Sequence, residues 1–162
     1  MNESLKEKTK KTSLSKSKTA TDKPLKPIKT TTKAKKITAE KPTATQALID
    51  TIVDAIDDIR GENIVVINIS KVEDSMTDYF IIAEAESGVQ VKSIGENIIR
   101  RVRNELYERP INKEGFENGE WLLIDYVNVV VHIFKKDRRE FYRIEDLWSD
   151  GVFTRISKVT TK

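Results

Sequence analysis

The sequence predicts an α/β fold: a single layered domain with a mixed sheet and flanking helices. Three observations carry that expectation. Segments with apolar residues at helical spacing alternate with short β-branched runs, in the order α-β-β-α-β-β-α and without internal repeats. No apolar run approaches the ~18 residues of a membrane-spanning helix. The charge is also divided sharply along the chain. Residues 1–43 hold 13 lysines and four acidic residues, a balance of +9, whereas residues 44–162 hold 16 basic and 22 acidic residues, a balance of −6. The formal net charge of +3 therefore hides an acidic domain behind a basic arm.

Residues 1–43 are built mainly from Lys, Thr and Ser, with no aromatic and three of the four prolines. Such a composition cannot bury enough apolar area to offset its ordering entropy, so this segment is expected to be a disordered arm. A non-specific hold on RNA phosphates and a solubilising role both fit it. A transit peptide fits less well, because the segment contains no Arg. The domain is expected over 44–150, followed by a polar, frayed tail over 151–162. No cysteine is present and only one histidine, which excludes disulfides and argues against a zinc site. With no secretory signal at the N-terminus, a soluble cytoplasmic protein is expected, without a membrane partner.

Leu48, Ile52, Ala55, Ile56 and Ile59 recur at helical spacing and Gly61 supplies a stop, which predicts a helix over about 45–60. NIVVINI (63–69) and YFIIA (79–83) read as strands, the second interior to the sheet, with a polar turn over 70–78 between them. Ser87-Gly88-Val89-Gln90 has the form of a capping box. The helix that it opens carries Val91, Ile94, Ile98, Val102 and Leu106 on one face and ends before Pro110. Arg100, Arg101 and Arg103 lie on its outer side, interleaved with Glu96, Glu105 and Glu108, and read as a solvated face. After a loop over 111–120 come strands at about 121–126 and 129–134. A helix over about 137–148 follows, with Phe141, Ile144, Leu147 and Trp148 inward.

If 121–134, WLLIDYVNVVVHIF, forms a hairpin about Val127-Asn128, then Tyr126 pairs with Val129, Ile124 with Val131 and Leu122 with Ile133. That face is entirely apolar and must be core. The opposite face carries Trp121, Leu123, Asp125, Val130, His132 and Phe134, with Asp125 and His132 close diagonally. Two readings stand for it: a partner surface with an aromatic anchor, or a face covered by the last helix, with Asp125 and His132 satisfying each other. Catalysis is not expected. No nucleophile elbow surrounds Ser70, Ser75 or Thr77, no phosphate loop is present, and Asp74, Asp78 and Asp125 lack the paired spacing of a two-metal site.

SMTDYFIIA (75–83), EG (114–115), WLLIDY (121–126), VVVHIF (129–134) and REFYRIEDLW (139–148) together resemble the bacterial ribosomal silencing factor, or Iojap, family. The resemblance runs in order over about 45–150. It implies a nucleotidyltransferase-like fold without the catalytic residues, no cofactor and no metal. It also implies binding to the large ribosomal subunit at ribosomal protein fourteen. That binding would block joining with the small subunit and repress translation when nutrients are scarce. The implied partner-binding positions are Trp121, Asp125, His132, Asp78, Tyr142 and Glu145. Whether the free domain forms a homodimer is open. Two departures stand out: Glu84-Ala85-Glu86, where the family has a Thr-Gly-like step, and Val127-Asn128, where it has Gly-Asp. A rival reading from the implied fold alone is a magnesium-dependent nucleotide-processing enzyme. Another is a general RNA-binding protein that uses the arm, with affinity that collapses in salt.

Overall fold

The computed structural model describes residues 42–157; the arm expected over 1–43 lies almost wholly outside the described residues. The elements are α1 (Ala44–Asp58), β1 (Glu62–Asn68), β2 (Tyr79–Ala85), α2 (Gly88–Glu105), β3 (Asn112–Glu114), β4 (Trp121–Asp125), β5 (Val129–Lys135), α3 (Lys136–Tyr142), α4 (Ile144–Leu147) and β6 (Val152–Arg155). The strands form one sheet in the order β3-β4-β5-β2-β1-β6. Only β2 and β5 run parallel; every other neighbouring pair is antiparallel. The mixed sheet with flanking helices is the expected architecture.

Local chemistry explains both long helices. The Thr43 side chain caps α1 by accepting from the Gln46 N–H at 3.2 Å. Ser87 caps α2 by accepting from the Gln90 N–H at 3.2 Å. The Gln90 amide also donates to the Ile59 and Arg60 carbonyls, tying the start of α2 to the end of α1. Buried Asn97 donates to the Ala55 carbonyl at 2.8 Å, so the two helices are clamped along their contact. They share one sheet face, with an aliphatic core that includes Ile52, Ile56, Ile81, Ile94, Ile98, Leu122, Ile124, Val131 and Ile133.

The expected hairpin register holds: Leu122 pairs with Ile133 and Ile124 with Val131, and the Tyr126 N–H donates to the Val129 carbonyl. Three expectations change. The helix expected over 137–148 is broken by Arg143 in the left-handed region (φ 45°), which separates α3 from α4. That break rotates the helical phase, so Phe141 and Leu147 are 72% and 77% exposed, while Ile144 and Trp148 remain inward. The tail expected to fray contains β6, an edge strand on β1, and Gly151 approaches Ile67 so closely that a Cβ would lie 2.6 Å from its Cγ2. The loop after α2 contains the short edge strand β3. Both added strands are short and none of their residues is buried, which is why neither shows the apolar alternation of a core strand.

Candidate functional site

The second sheet face is where α3 and α4 pack. Phe80, Ile82, Val65, Ile67, Ile69 and Phe134 form its buried floor, with Trp121, Val130, Ile144 and Trp148 packed against them. The β4–β5 register places Trp121 opposite Phe134, Leu123 opposite His132 and Asp125 opposite Val130, as expected from the sequence. Rings accumulate here because alternate residues of β5 must point this way. Trp121 stacks on Phe134 with centroids 5.0 Å apart and meets Tyr142 at the same separation. Trp148 meets Phe80 at 5.0 Å.

His132 is a correction to the expectation of a surface group. It is 7% exposed and sits among the Phe80, Trp121 and Phe134 rings. The Trp121 indole N–H donates to its Nδ1 at 3.1 Å, so the neutral ring carries its proton on Nε2. Burial disfavours the charged form and lowers its pKa to about 4. His132 therefore orients Trp121 and does not present itself to solvent.

Asp125 and His132 do not satisfy each other. Asp125 Oδ1 accepts from the Val127 N–H at 2.7 Å, an Asx-type turn that organises the hairpin end. Val127 there has φ 74°, an unfavourable conformation for a β-branched residue. The 70–78 loop reaches the same end of the sheet, where the Asp78 and Tyr79 N–H groups both donate to the Asn128 carbonyl. Asp78 and Asp125 are both half-buried.

Glu145 is engaged within the chain. Its Oε1 accepts from Arg139 Nη2 at 2.6 Å and Nε at 3.1 Å. Arg139, 8% exposed, also donates to Glu84 Oε2 at 3.2 Å and to the Asn63 carbonyl at 2.8 Å. This ionic cluster joins α3 and α4 to the end of β2. Sequence reasoning noted Glu84 only as part of a departure from the family pattern and gave it no role; the available signal was a carboxylate closing the apolar run YFIIA, which a buried cation makes tolerable.

Around this scaffold, Phe141, Tyr142 and Leu147 stand out at 72%, 45% and 77% exposure, and Trp121 is half-buried between the Tyr142 and Phe134 rings that it meets. Gly115 secures the entry to β4: at φ +83° any Cβ would lie 1.9 Å from the Trp121 carbonyl oxygen. Among the described residues no group of three or more His, Cys, Asp or Glu side chains is arranged to hold a metal ion. No helix among them is long and apolar enough to cross a membrane.

What fold and site define together is an α/β domain with a half-open aromatic face, the kind of surface through which proteins bind other proteins. The model of the family described as "Ribosomal silencing factor during starvation" matches residues 41–162. Ribosomal silencing factor RsfS of Halalkalibacterium halodurans is 36% identical over 106 residues, covering 65% of this chain and 89% of that protein. RsfS of Bacillus subtilis is 36% identical over 100 residues, covering 60% and 80%. A crystal structure of a Chromobacterium violaceum protein superposes with a TM-score of 0.61 at 28% identity, covering 72% of this chain and 95% of that one. The chain belongs to the RsfS family of ribosomal silencing factors.

Proposed function

We propose that this protein binds the large ribosomal subunit at ribosomal protein fourteen and thereby blocks joining with the small subunit, lowering translation when nutrients are scarce. The observation that carries this reading is the family match over residues 41–162. Trp121 and Tyr142 act as aromatic anchors, and Asp125 and Asp78 supply acidic contacts from the hairpin end. His132 and Glu145 act one step back, the first holding Trp121 and the second holding α4 through Arg139. The balance of −6 over residues 44–162 supports attraction to a basic ribosomal protein, through steering and orientation more than raw affinity. The protein works by occupying a surface, without turnover. A salt-sensitive hold on RNA by the lysine-rich arm belongs to the same proposal.

The test is co-sedimentation with purified large subunits, followed by addition of small subunits. The expected result is stoichiometric binding to large subunits and fewer joined ribosomes. Joined ribosomes forming normally on large subunits that carry the protein would refute the block.

A further inference from the structure

The end of α2 and the β3 edge carry a cationic corner that the aromatic face does not use. Arg103, Arg109 and Lys113 line one hollow with Ile99 and Ile111, and Arg100, Arg103 and Lys113 line its neighbour beside Phe116. Arg101, in the middle of the run, is neutralised by Asp58 at 2.9 Å and Glu105 at 2.6 Å. Among the described residues none of Arg100, Arg103, Arg109 and Lys113 forms an ion pair. Glu96 borders the second hollow, but no acid lines the first. The solvated face expected at Arg100, Arg101 and Arg103 thus divides into one arginine paired with carboxylates and two that are not; Arg109 and Lys113 join the latter, with Arg100 donating to Asn97 Oδ1 and Lys113 Nζ lying 5.5 Å from the Phe116 ring centroid.

Tyr107, between Arg103 and Arg109 along the chain, is 88% exposed. It follows the α2 C-cap, Leu106, with φ 60°, at a position where helices commonly end on glycine. A bulky aromatic held there in a strained conformation gains little burial in return. Ile111, 68% exposed, lines the first hollow with Arg103 and Arg109.

We propose that this corner binds single-stranded RNA, with Arg100, Arg103, Arg109 and Lys113 taking phosphates and the Tyr107 ring stacking on a base. Cations spaced around a groove and an exposed aromatic platform are the two components of sequence-tolerant single-strand recognition. The choice of RNA rests on the ribosomal reading above, and the corner gives that reading a second point of contact. It lies at the β3 edge of the sheet, apart from the face that α3 and α4 cover.

The test is filter binding of the full chain to a mixed-sequence RNA dodecamer, without ribosomes, over about 50 to 200 mM salt. The lysine-rich arm is present in every variant, so only differences between variants are read. The combined variant Arg103→Glu, Arg109→Glu and Lys113→Glu is expected to bind at least about tenfold more weakly. Its salt slope should fall by about 2, as loss of three single-strand phosphate contacts requires. Tyr107→Ala is expected to weaken binding about fivefold or more with the slope unchanged, since stacking releases no counterions. The same three positions changed to Gln repeat the slope measurement without introducing repulsion, and melting curves check that each variant is folded. Affinity and slope equal to the parent in the Gln and Tyr107→Ala variants would overturn the proposal. So would normal RNA binding by a charge-reversed variant that fails to bind large subunits, which would make the corner a protein contact. Because bare RNA is the ligand, failure here leaves the contact through the aromatic face standing.

Discussion

The two faces of the sheet are built on different terms. Along β5, Val129, Val131 and Ile133 point to the α1/α2 side, and Val130, His132 and Phe134 point to the α3/α4 side. The first face is mainly aliphatic, with Tyr126 as a buried aromatic at its edge, and is covered by two capped helices of 15 and 18 residues. The second sets aromatic rings among aliphatic residues, contains a buried histidine and a buried ion cluster, and is covered by helices of seven and four residues. Aliphatic packing tolerates exchange of similar volumes, because what matters is filled space. Aromatic and ionic packing assigns each group one partner, so loss of a partner leaves an unsatisfied group behind. The short cover also leaves Trp121 half-open, which a long amphipathic helix would have closed. On the proposed function, the closed face serves the fold and the half-open face serves binding.

If that contrast is right, the largest single loss on the second face comes from Arg139. Arg139→Ala strands the Glu84 and Glu145 carboxylates near the end of β2 and unties α4. The expected cost is about 3 to 5 kcal/mol, read from denaturant unfolding. A cost below about 1 kcal/mol would show that the ion cluster is incidental to how α3 and α4 are held.

His132 supplies the next effect, one that the aliphatic face has no group to produce. Its pKa in the folded chain is about 4, against an ordinary 6.5, so the unfolded chain takes up the proton first as pH falls. The stabilisation is complete above pH 6.5 and is lost as pH falls towards 4, amounting to at most about 3 kcal/mol. Melting temperature should therefore drop between pH 7.5 and pH 5. His132→Gln, which keeps an acceptor for the Trp121 N–H, should flatten that drop. An equal drop in both proteins would assign the acid sensitivity to other groups.

A smaller effect of opposite sign is expected at the hairpin. Val127 is 52% exposed at φ 74°, so Val127→Gly removes strain and little burial. A gain of about 1 kcal/mol is expected, partly offset by the greater freedom of glycine in the unfolded chain. A loss of stability would mean that the valine side chain makes a contact worth more than the strain.

The two faces also differ in how far the sequence discloses them. The aliphatic face was legible because period-2 strands and period-3.6 helices leave direct marks, as in Leu122/Ile124 and Val91/Ile94/Ile98. The strand register of the aromatic face was legible for the same reason, and it placed Trp121 on that face, whereas Tyr142 came only from the family resemblance. The polar connections of that face were not legible. Asp125 and His132 lie close in the register, yet each found a better partner, in the Val127 N–H and the Trp121 N–H respectively. The Arg139–Glu84 pair spans 55 positions, a separation over which no local pattern carries information. The left-handed Arg143 carries none of the usual glycine or asparagine signal, so the last helix reads as continuous and Phe141 and Leu147 as buried. β6 is a four-residue edge strand that depends on β1 for its pairing, and its composition alone reads as tail.

The division of labour between the faces is tested most directly at Tyr142, which is 45% exposed and touches Trp121 without belonging to the buried floor. The measurement is the affinity of Tyr142→Ala for purified large subunits, taken with its melting temperature. The account predicts weaker binding by about 2 kcal/mol, roughly thirtyfold, with melting close to that of the parent. Parental affinity in a variant that melts normally would contradict it and move the ribosome contact off the aromatic face.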